Sequence, residues 1–167
     1  GGCGETPYTK LITQLFGSRM IIANATGCSS IYGGSHPSVP FCVDEDGCGP
    51  AWANSLFEDN AEYGFGMVTA LGKIRERMAR MMKDIQDGVS VEVKDLFLQW
   101  IEAKDDARSS REITGQLLPL LEKESHPVAK ELLDLKHYLV KKSVWVIGGD
   151  GWAYDIGYGG LDHVLAS

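Results

Sequence analysis

The chain has 167 residues, a formal net charge of −7 and an isoelectric point near 5.0, with 44% hydrophobic and 23% charged residues. This composition is typical of a soluble globular domain and excludes a disordered or fibrous protein. The negative charge argues against non-specific nucleic-acid binding and against attraction to an anionic membrane. No apolar stretch has the length of a membrane span. Because the chain starts with Gly1 and stops just after an apolar run, we expect it to be a piece of a longer protein, truncated at both ends.

The N-terminal part predicts a helix followed by a strand. Thr6 can cap the helix, and Pro7 is tolerated at the first helical position. The apolar face of this helix is formed by Leu11, Ile12, Leu15 and Phe16. Gly17 is a typical left-handed stop. The short apolar run at residues 20–23 then predicts a buried strand.

The stretch at residues 25–54 is rich in glycine and proline and predicts a loop of about thirty residues, a length that is typical of functional loops. Cys28, Cys42 and Cys48 lie in it, and Cys3 precedes the first helix. The four cysteines form no complete C-x-x-C. On spacing alone, free buried thiols in a reducing compartment are favoured over a metal site.

The middle of the chain, about 58–142, predicts a helical insertion. Four amphipathic stretches are expected, with apolar stripes that include Leu71, Ile74, Met78, Met81, Ile85, Val93, Leu96, Phe97, Trp100, Ile101, Ile113, Leu117, Leu118, Leu121, Leu132, Leu135 and Leu139. Methionines on such a stripe favour core packing over a cofactor-binding role. Pro119 is expected to kink or divide the third helix, and the fourth is expected to run over 127–142.

The C-terminal part predicts a strand, a glycine turn and a helix. Residues 143–147 form an apolar run typical of a buried parallel strand, and residues 148–152 follow as a glycine-rich turn. An apolar helix is then expected to the end of the chain. This is the α/β pattern, in which ligands bind at the carboxyl ends of the strands. The predicted fold class is therefore α/β with a parallel sheet.

The triplet Gly149-Asp150-Gly151 carries most of the chemical information in this turn. Glycines between a strand and a helix let backbone N–H groups approach a phosphate. The complete dinucleotide fingerprint fails, because Tyr154 stands where its third glycine would be. An acidic residue at a phosphate turn makes sense if it holds a magnesium ion that the phosphates also bind. The alternative is that Asp150 only caps the helix, and the triplet does not separate the two.

Four segments of the chain resemble one enzyme family. Gly149-Asp150-Gly151 is similar to the start of the thiamine diphosphate signature, a G-D-G that is followed further on by an asparagine. The wider run at residues 146–167 resembles pyruvate:ferredoxin (flavodoxin) oxidoreductase. Residues 3–8 (CGETPY), 23–34 (ANATGCSSIYGG) and 49–62 (GPAWANSLFEDNAE) resemble the same family in the same order. The resemblance implies that the chain is part of a thiamine diphosphate-binding domain with a parallel sheet and a helical insertion.

The resemblance implies two ligands of an iron–sulfur cluster. Cys3 matches the second cysteine of the family's C-x-x-C, and Cys28 matches the next ligand of the [4Fe–4S] cluster nearest the thiamine. A cubane cluster takes four thiolates, so the remaining two are expected outside this chain. Cys42 and Cys48 match no family ligand, and for them the interpretation as free thiols remains.

The resemblance also implies one half of a thiamine diphosphate site. Asp150 matches a Mg²⁺ ligand, and the further residues that match positions at the cofactor are Glu5, Cys28, Gly149, Gly151 and Trp152. Glu5 and Cys28 are expected at the thiamine, and the other three at the diphosphate. If the strands before Cys28 and before Asp150 are parallel neighbours, their loops open on one sheet edge.

For the whole protein, the resemblance implies oxidative decarboxylation of pyruvate to acetyl-CoA and CO₂. Electrons would pass through [4Fe–4S] clusters to ferredoxin or flavodoxin, and coenzyme A would accept the acetyl group. A homodimer and a cytoplasmic location are expected, with a hydrogenosome or mitochondrion-like organelle as the alternative location. Two other interpretations stay open, namely a non-catalytic structural module and a non-redox thiamine-dependent decarboxylase. The two cluster cysteines count against the second.

Overall fold

The structure is a computed structural model that describes residues 3–35, 37–154 and 156–167. The chain divides into two compact units. The sheet unit comprises Gly1–Thr69 and Ser143–Ser167, and the helical unit comprises Ala70–Lys142. The helical unit falls within the range 58–142 that the sequence predicts as an insertion. The predicted α/β class with a parallel sheet is confirmed.

The sheet has three strands in the order β2-β1-β3, with β1 at Met20–Ala25, β2 at Ala51–Ser55 and β3 at Ser143–Ile147. Both pairings are parallel. β1 is almost entirely buried because it is paired on both sides, which confirms the strand predicted at 20–23. β3 is also present as predicted, but it is only half-buried, and Val146 is 37% exposed. The expectation of a fully buried strand is wrong because β3 is an edge strand of this sheet.

The prediction of one uninterrupted loop over residues 25–54 is wrong. A short helical turn, α2 at Cys28–Ser30, is followed by a turn with π-type hydrogen bonding at Ile31–Ser35, and β2 begins at Ala51. The sequence analysis missed β2 because it is a short edge strand without the continuous apolar run of a buried strand. Gly33 and Gly34 lie against the indole of Trp52 on β2, where added Cβ atoms would come within 3.4 Å of it.

The first helix, α1 at Thr6–Phe16, is present as predicted. Its buried side chains are Thr9 and Thr13, and the Thr13 hydroxyl accepts a hydrogen bond from the Cys42 N–H at 3.0 Å. Leu11 and Leu15 are 51% and 64% exposed. The predicted apolar face is therefore only partly covered. Ile12 and Phe16 are half-buried, and the ring centroids of Phe16 and Trp145 are 5.7 Å apart.

The end of α1 also differs from the prediction. Gly17 is right-handed, with φ −48° and ψ −48°, and it begins a 3-10 turn at Gly17–Arg19 that leads directly into β1. Gly17 is buried against the backbone of the loop, where an added Cβ would lie 3.2 Å from the Cys48 carbonyl oxygen. Close approach of two backbones, and not a left-handed conformation, explains the glycine at this position.

The helical unit consists of α3 at Asn60–Ile85, which begins in the sheet unit, followed by α4 at Val91–Ala103, α5 at Ala107–Leu121 and α6 at Pro127–Asp134. Its fully buried core is formed by Met78, Met82, Val93, Phe97, Trp100, Leu117, Leu121, Ala129, Leu132 and Leu139. The methionines therefore pack in the core, as predicted. In the part of the chain that the structure describes, no helix has both the length and the apolar character needed to cross a membrane.

Two predicted helix boundaries in this unit are wrong. Pro119 does not divide α5, which continues through it to Leu121. The fourth helix stops at Asp134 and is followed by a 3-10 turn at Lys136–Tyr138. The buried Arg75 guanidinium donates hydrogen bonds to the carbonyls of Tyr138 and Leu139 at the end of this turn.

The C-terminal segment is not one continuous helix. It consists of α7 at Asp150–Tyr154, a 3-10 turn at Ile156–Gly160 and α8 at Leu161–Leu165. Gly159 and Gly160 have φ of 56° and 79°. Such left-handed backbone interrupts a right-handed helix, and glycine adopts it without strain.

Candidate functional site

The carboxyl ends of β1 and β3 lie side by side. Asn24 is opposite Ile147 in the parallel register. Cys28 begins α2 shortly after β1, and Asp150 begins α7 shortly after β3. The expectation that these strands are parallel neighbours is confirmed, so the loops that carry Cys28 and Asp150 leave the same edge of the sheet.

Two adjacent glycines in the turn after β3 have different environments. A Cβ added to Gly148 would lie 2.3 Å from Cε3 of Trp152 and 2.9 Å from Cβ of Ala25, so packing within the chain requires this glycine. A Cβ added to Gly149 would meet no atom within 4 Å. Asp150 follows with an exposed side chain. The space next to Gly149 is therefore open, as the approach of a bound phosphate to the backbone would require.

Trp152 supports this turn from the interior of the sheet unit. The side chain is 5% exposed and packs with Ala25 and Ala61. An added Cβ at Gly159 would lie 2.2 Å from the indole Nε1, so the C-terminal segment also packs closely against it. Because the indole of Trp152 is buried in the core, its backbone is the part that could contact a diphosphate.

A hydrogen-bond network ties the Cys28 loop to the ends of β1 and β2. Asn24 is buried, and its Nδ2 donates to Oδ1 of Asn54 at 2.8 Å and to Oγ of Ser30 at 3.2 Å. Ser30 Oγ in turn donates to Asn54 Oδ1 at 2.8 Å and accepts from the N–H of Gly27 at 3.1 Å. The residues on both sides of Cys28 are thereby fixed. The sequence analysis did not identify this network, although an asparagine at the end of a buried strand is a signal, since buried amides need partners.

Asn60, the first residue of α3, contacts the ends of all three strands. It is fully buried. Its Nδ2 donates to the carbonyls of Ala23 in β1 at 3.2 Å and Ile147 in β3 at 3.1 Å, and its Oδ1 accepts from Oγ of Ser55 in β2 at 2.7 Å. The sequence does not predict this role of Asn60, because nothing in it shows that a helix start lies across three strand ends.

The N-terminal segment lies against the Cys28 loop. Cys3 and Glu5 are exposed, and the buried Tyr32 hydroxyl donates to the Glu5 carboxylate and lies within hydrogen-bonding reach of Thr9. Burial, together with the negative charge of Glu5, raises the pKa of Tyr32 to about 12. Because Tyr32 belongs to the turn that follows Cys28, the structure brings the segment with Cys3 and Glu5 next to the segment with Cys28.

The donor atoms present fit part of a cluster site and part of a magnesium site. Cys3 and Cys28 are free and exposed, whereas a cubane cluster takes four thiolates. Asp150 offers one carboxylate, and Mg²⁺ takes six oxygen ligands, several of them commonly from phosphates and water. Within residues 3–35, 37–154 and 156–167, no group of three or more His, Cys, Asp or Glu side chains could hold a metal ion. Both groups would need further ligands from outside the described residues.

Comparison with known proteins identifies relatives along the whole chain, although no family model matches it. The chain is 57% identical to a pyruvate:ferredoxin oxidoreductase of Moorella thermoacetica and 54% identical to a pyruvate-flavodoxin oxidoreductase of Klebsiella pneumoniae, in each case over 99% of its length. A pyruvate dehydrogenase [NADP(+)] of Cryptosporidium parvum is 43% identical. The chain spans 15%, 14% and 10% of the length of these three proteins. The resemblance is confirmed, because 99% of this chain is similar to one segment of the pyruvate:ferredoxin (flavodoxin) oxidoreductases.

Proposed function

We propose that the full-length protein oxidatively decarboxylates pyruvate to acetyl-CoA and CO₂ and passes the electrons through [4Fe–4S] clusters to ferredoxin or flavodoxin. This segment would supply half of the thiamine diphosphate site and two ligands of the nearest cluster. The observation that carries the proposal is the parallel register of β1 and β3, with Asn24 opposite Ile147. It supports a site in which the Cys28 loop and the Asp150 turn act together. The names of the relatives support the substrate and the reaction class.

On the diphosphate side, the exposed Asp150 carboxylate would hold the Mg²⁺, and the open backbone at Gly149 would admit a phosphate. Gly151 and the backbone of Trp152 belong to the first turn of α7, whose N–H groups have no acceptor within the helix. Thiamine diphosphate, when bound, supplies an electron sink for the loss of CO₂ from pyruvate. The residues of this chain would fix the diphosphate end of the cofactor and thereby its orientation.

On the cluster side, the exposed thiols of Cys3 and Cys28 would act as thiolate ligands. The hydrogen bonds of Ser30 with Gly27 and Asn54 hold the loop on both sides of Cys28, so its position is fixed before any ligand binds. The pair of exposed cysteines favours the redox reaction over a non-redox thiamine-dependent decarboxylase, which needs no cluster. The relatives are named for ferredoxin, flavodoxin and NADP(+), so this segment does not specify the electron acceptor.

Asp150→Ala in the full-length enzyme tests the diphosphate side. Cofactor-depleted enzyme would be titrated with thiamine diphosphate and Mg²⁺ in a calorimeter. We expect the affinity to fall by more than about 100-fold, since removal of even the outer partners of metal ligands commonly costs 10-fold to 100-fold. Asp162→Ala is the matched control, because Asp162 is also an exposed aspartate in the first turn of a five-residue helix. Unchanged affinity in the Asp150 variant would refute the proposal.

Cys28→Ala tests the cluster side, with Cys48→Ala as the control. Both residues are exposed free cysteines of the sheet unit. The iron content and the electron paramagnetic resonance spectrum of the dithionite-reduced full-length enzyme would be measured. We expect the Cys28 variant to lose the signal of one cluster and the Cys48 variant to retain the wild-type spectrum. A full set of clusters in the Cys28 variant would contradict the assignment.

A further inference from the structure

We propose that Asn60 is a positioning residue that couples the Cys28 loop to the Asp150 turn. The inference rests on the proposed function, because these are the two loops to which that function assigns the cluster ligand and the magnesium ligand. Asn60 contacts neither loop directly. It would act through the strand ends from which the two loops depart.

Both donors and the oxygen of the Asn60 side-chain amide make hydrogen bonds to residues of the three strands. An asparagine amide has two N–H donors and one carbonyl oxygen. Both donors go to carbonyls of different strands, Ala23 of β1 and Ile147 of β3, and the oxygen accepts from Ser55 of β2. Ser55 and Ile147 are the last residues of β2 and β3, and Ala23 lies two residues before the end of β1. A single buried side chain therefore fixes the spacing of all three strands at the edge that carries the proposed site.

The bonds of Asn60 lead to both loops by short paths. Ile147 immediately precedes Gly148, and Asp150 follows two residues later. Ala23 is followed by Asn24, whose side chain holds Ser30 and therefore the turn that contains Cys28. The backbone segments that join Asn60 to the two loops are hydrogen-bonded and closely packed. A displacement at Asn60 would therefore move both loops.

The position of Asn60 is itself fixed by close packing of α3 on the sheet. A Cβ added to Gly64, one turn further along, would lie 2.4 Å from Cγ2 of Val146 and 3.5 Å from Cβ of Ala23. Ala61 is buried with Ala25 and Trp152. The first turn of α3 therefore lies directly on β1 and β3, and the Asn60 amide cannot be replaced there by water without opening this contact.

Hydrogen–deuterium exchange of the full-length, cofactor-depleted enzyme tests the coupling without any bound group. In Asn60→Ala and Asn60→Ser we expect the hydrogen-bonded amides of Gly27, Ser30 and Ala153 to exchange about tenfold faster, which corresponds to the loss of about 1.4 kcal/mol. The Ala153 N–H reports the Asp150 turn, because it bonds to the carbonyl of Gly149. The Ser variant keeps a polar group at the start of α3 and puts no charge among the strand carbonyls, so it keeps the test usable if the Ala variant does not fold. Ser30→Ala is expected to affect 26–30 alone, because its bonds reach only Asn24, Ala25, Gly27 and Asn54.

A second measurement separates positioning from general stability. Asn60→Ser is expected to lower the affinity for thiamine diphosphate and Mg²⁺ by about 10-fold to 100-fold and to alter the spectrum of the reduced proximal cluster. Ser110→Ala removes a comparably buried side-chain hydrogen bond, from the Lys141 N–H at 3.1 Å in the helical unit, and should change neither.

Unchanged exchange at Ala153 in both Asn60 variants would overturn the inference, as would an equal loss of affinity in Ser110→Ala. If the wild-type enzyme itself failed to bind thiamine diphosphate, the proposed function would fail. The exchange experiment would still decide whether Asn60 couples the two loops.

Discussion

The two units of the chain differ in how completely they bury their apolar side chains. The helical unit buries large apolar side chains such as Phe97, Trp100 and Leu117 completely. The sheet unit leaves Tyr8, Leu11 and Leu15 of α1 exposed, and its described sheet has an edge strand on either side of β1. The apolar core of the helical unit is thus closed within its own residues, whereas the sheet unit presents apolar surface to its surroundings.

Their buried polar groups differ in the same way. In the helical unit, Arg75 donates to carbonyls at chain turns and its guanidinium lies 4.9 Å from the centroid of the Trp100 ring, so its role is to complete the core. In the sheet unit, Asn24 and Asn60 bond to strand ends and loops. The buried polar groups of the helical unit therefore complete its core, whereas those of the sheet unit hold the strand ends and loops of the proposed site.

The largest effect on the free energy of unfolding is expected in the helical unit, produced as a separate polypeptide. A polypeptide of residues 70–142 should fold by itself, because its core is closed and of a size that supports independent folding. Within it, Trp100→Ala should lower the free energy of unfolding by about 3–5 kcal/mol, and Val91→Ala, at a position 75% exposed on the same helix, should change it by less than about 0.5 kcal/mol. Urea unfolding followed by circular dichroism measures both. Absence of a cooperative transition in the wild-type polypeptide would contradict the comparison.

The adjacent glycines at 148 and 149 provide the next test, in the full-length enzyme. Gly148→Ala should destabilise the sheet unit by about 3 kcal/mol, because the new Cβ would overlap Trp152 and Ala25. Gly149→Ala meets no atom of the chain and should leave the stability of the unit nearly unchanged while lowering affinity for thiamine diphosphate. Hydrogen exchange of residues 143–154 reports stability, and calorimetric titration reports affinity. Equal behaviour of the two variants would show that packing alone explains both glycines.

A smaller effect is expected where α3 lies on the sheet. Gly64→Ala should cost about 1–2 kcal/mol, because its Cβ would lie 2.4 Å from one methyl of Val146. The double variant Gly64→Ala/Val146→Ala removes that methyl and should recover most of the loss, since Val146 is an edge-strand residue. Hydrogen exchange of β1 and β3 in the full-length enzyme measures the outcome. A double variant that is as unstable as Gly64→Ala would refute this explanation of the glycine.

The sequence predicted the elements whose signals are local and missed those whose signals depend on neighbours. The helix stripe that contains Met78 and the strand at 20–23 follow from periodicity and apolar runs. β2 was missed because an edge strand is specified by its partner more than by its own residues. Leu11 lies on the predicted apolar face of α1 and is exposed, because an amphipathic pattern indicates that a face will be covered but not which part of the protein covers it.

The same distinction applies to the candidate site. Asp150 and Cys28 are predicted site residues because their segments resemble the family, whereas the triplet and the cysteine spacing alone leave a helix cap and a free thiol open. Asn60 was not, because its role depends on the relative position of three strand ends that are far apart in the chain. Trp152 was identified as a cofactor-lining residue, and the burial of its indole could not be read from the sequence.

The ionisation of Tyr32 gives the smallest and most local test of the sheet unit. Burial and the charge of Glu5 raise its pKa from 10.0 to about 12, so the fold favours the neutral phenol. The stabilisation is fully present below pH 10 and is lost as the pH rises toward 12.

The absorbance of tyrosinate would be titrated in the full-length wild type and in Tyr32→Phe, because the difference between the two isolates this tyrosine. We expect almost no difference at pH 10 and an increase only near pH 12 or on unfolding, whereas Tyr8→Phe, at an exposed position of the same unit, serves as the control for an accessible phenol. Half-ionisation of Tyr32 at pH 10 would mean that its hydroxyl is not held between the N-terminal segment and the Cys28 loop. The contact that brings Cys3 toward Cys28 would then be absent as well.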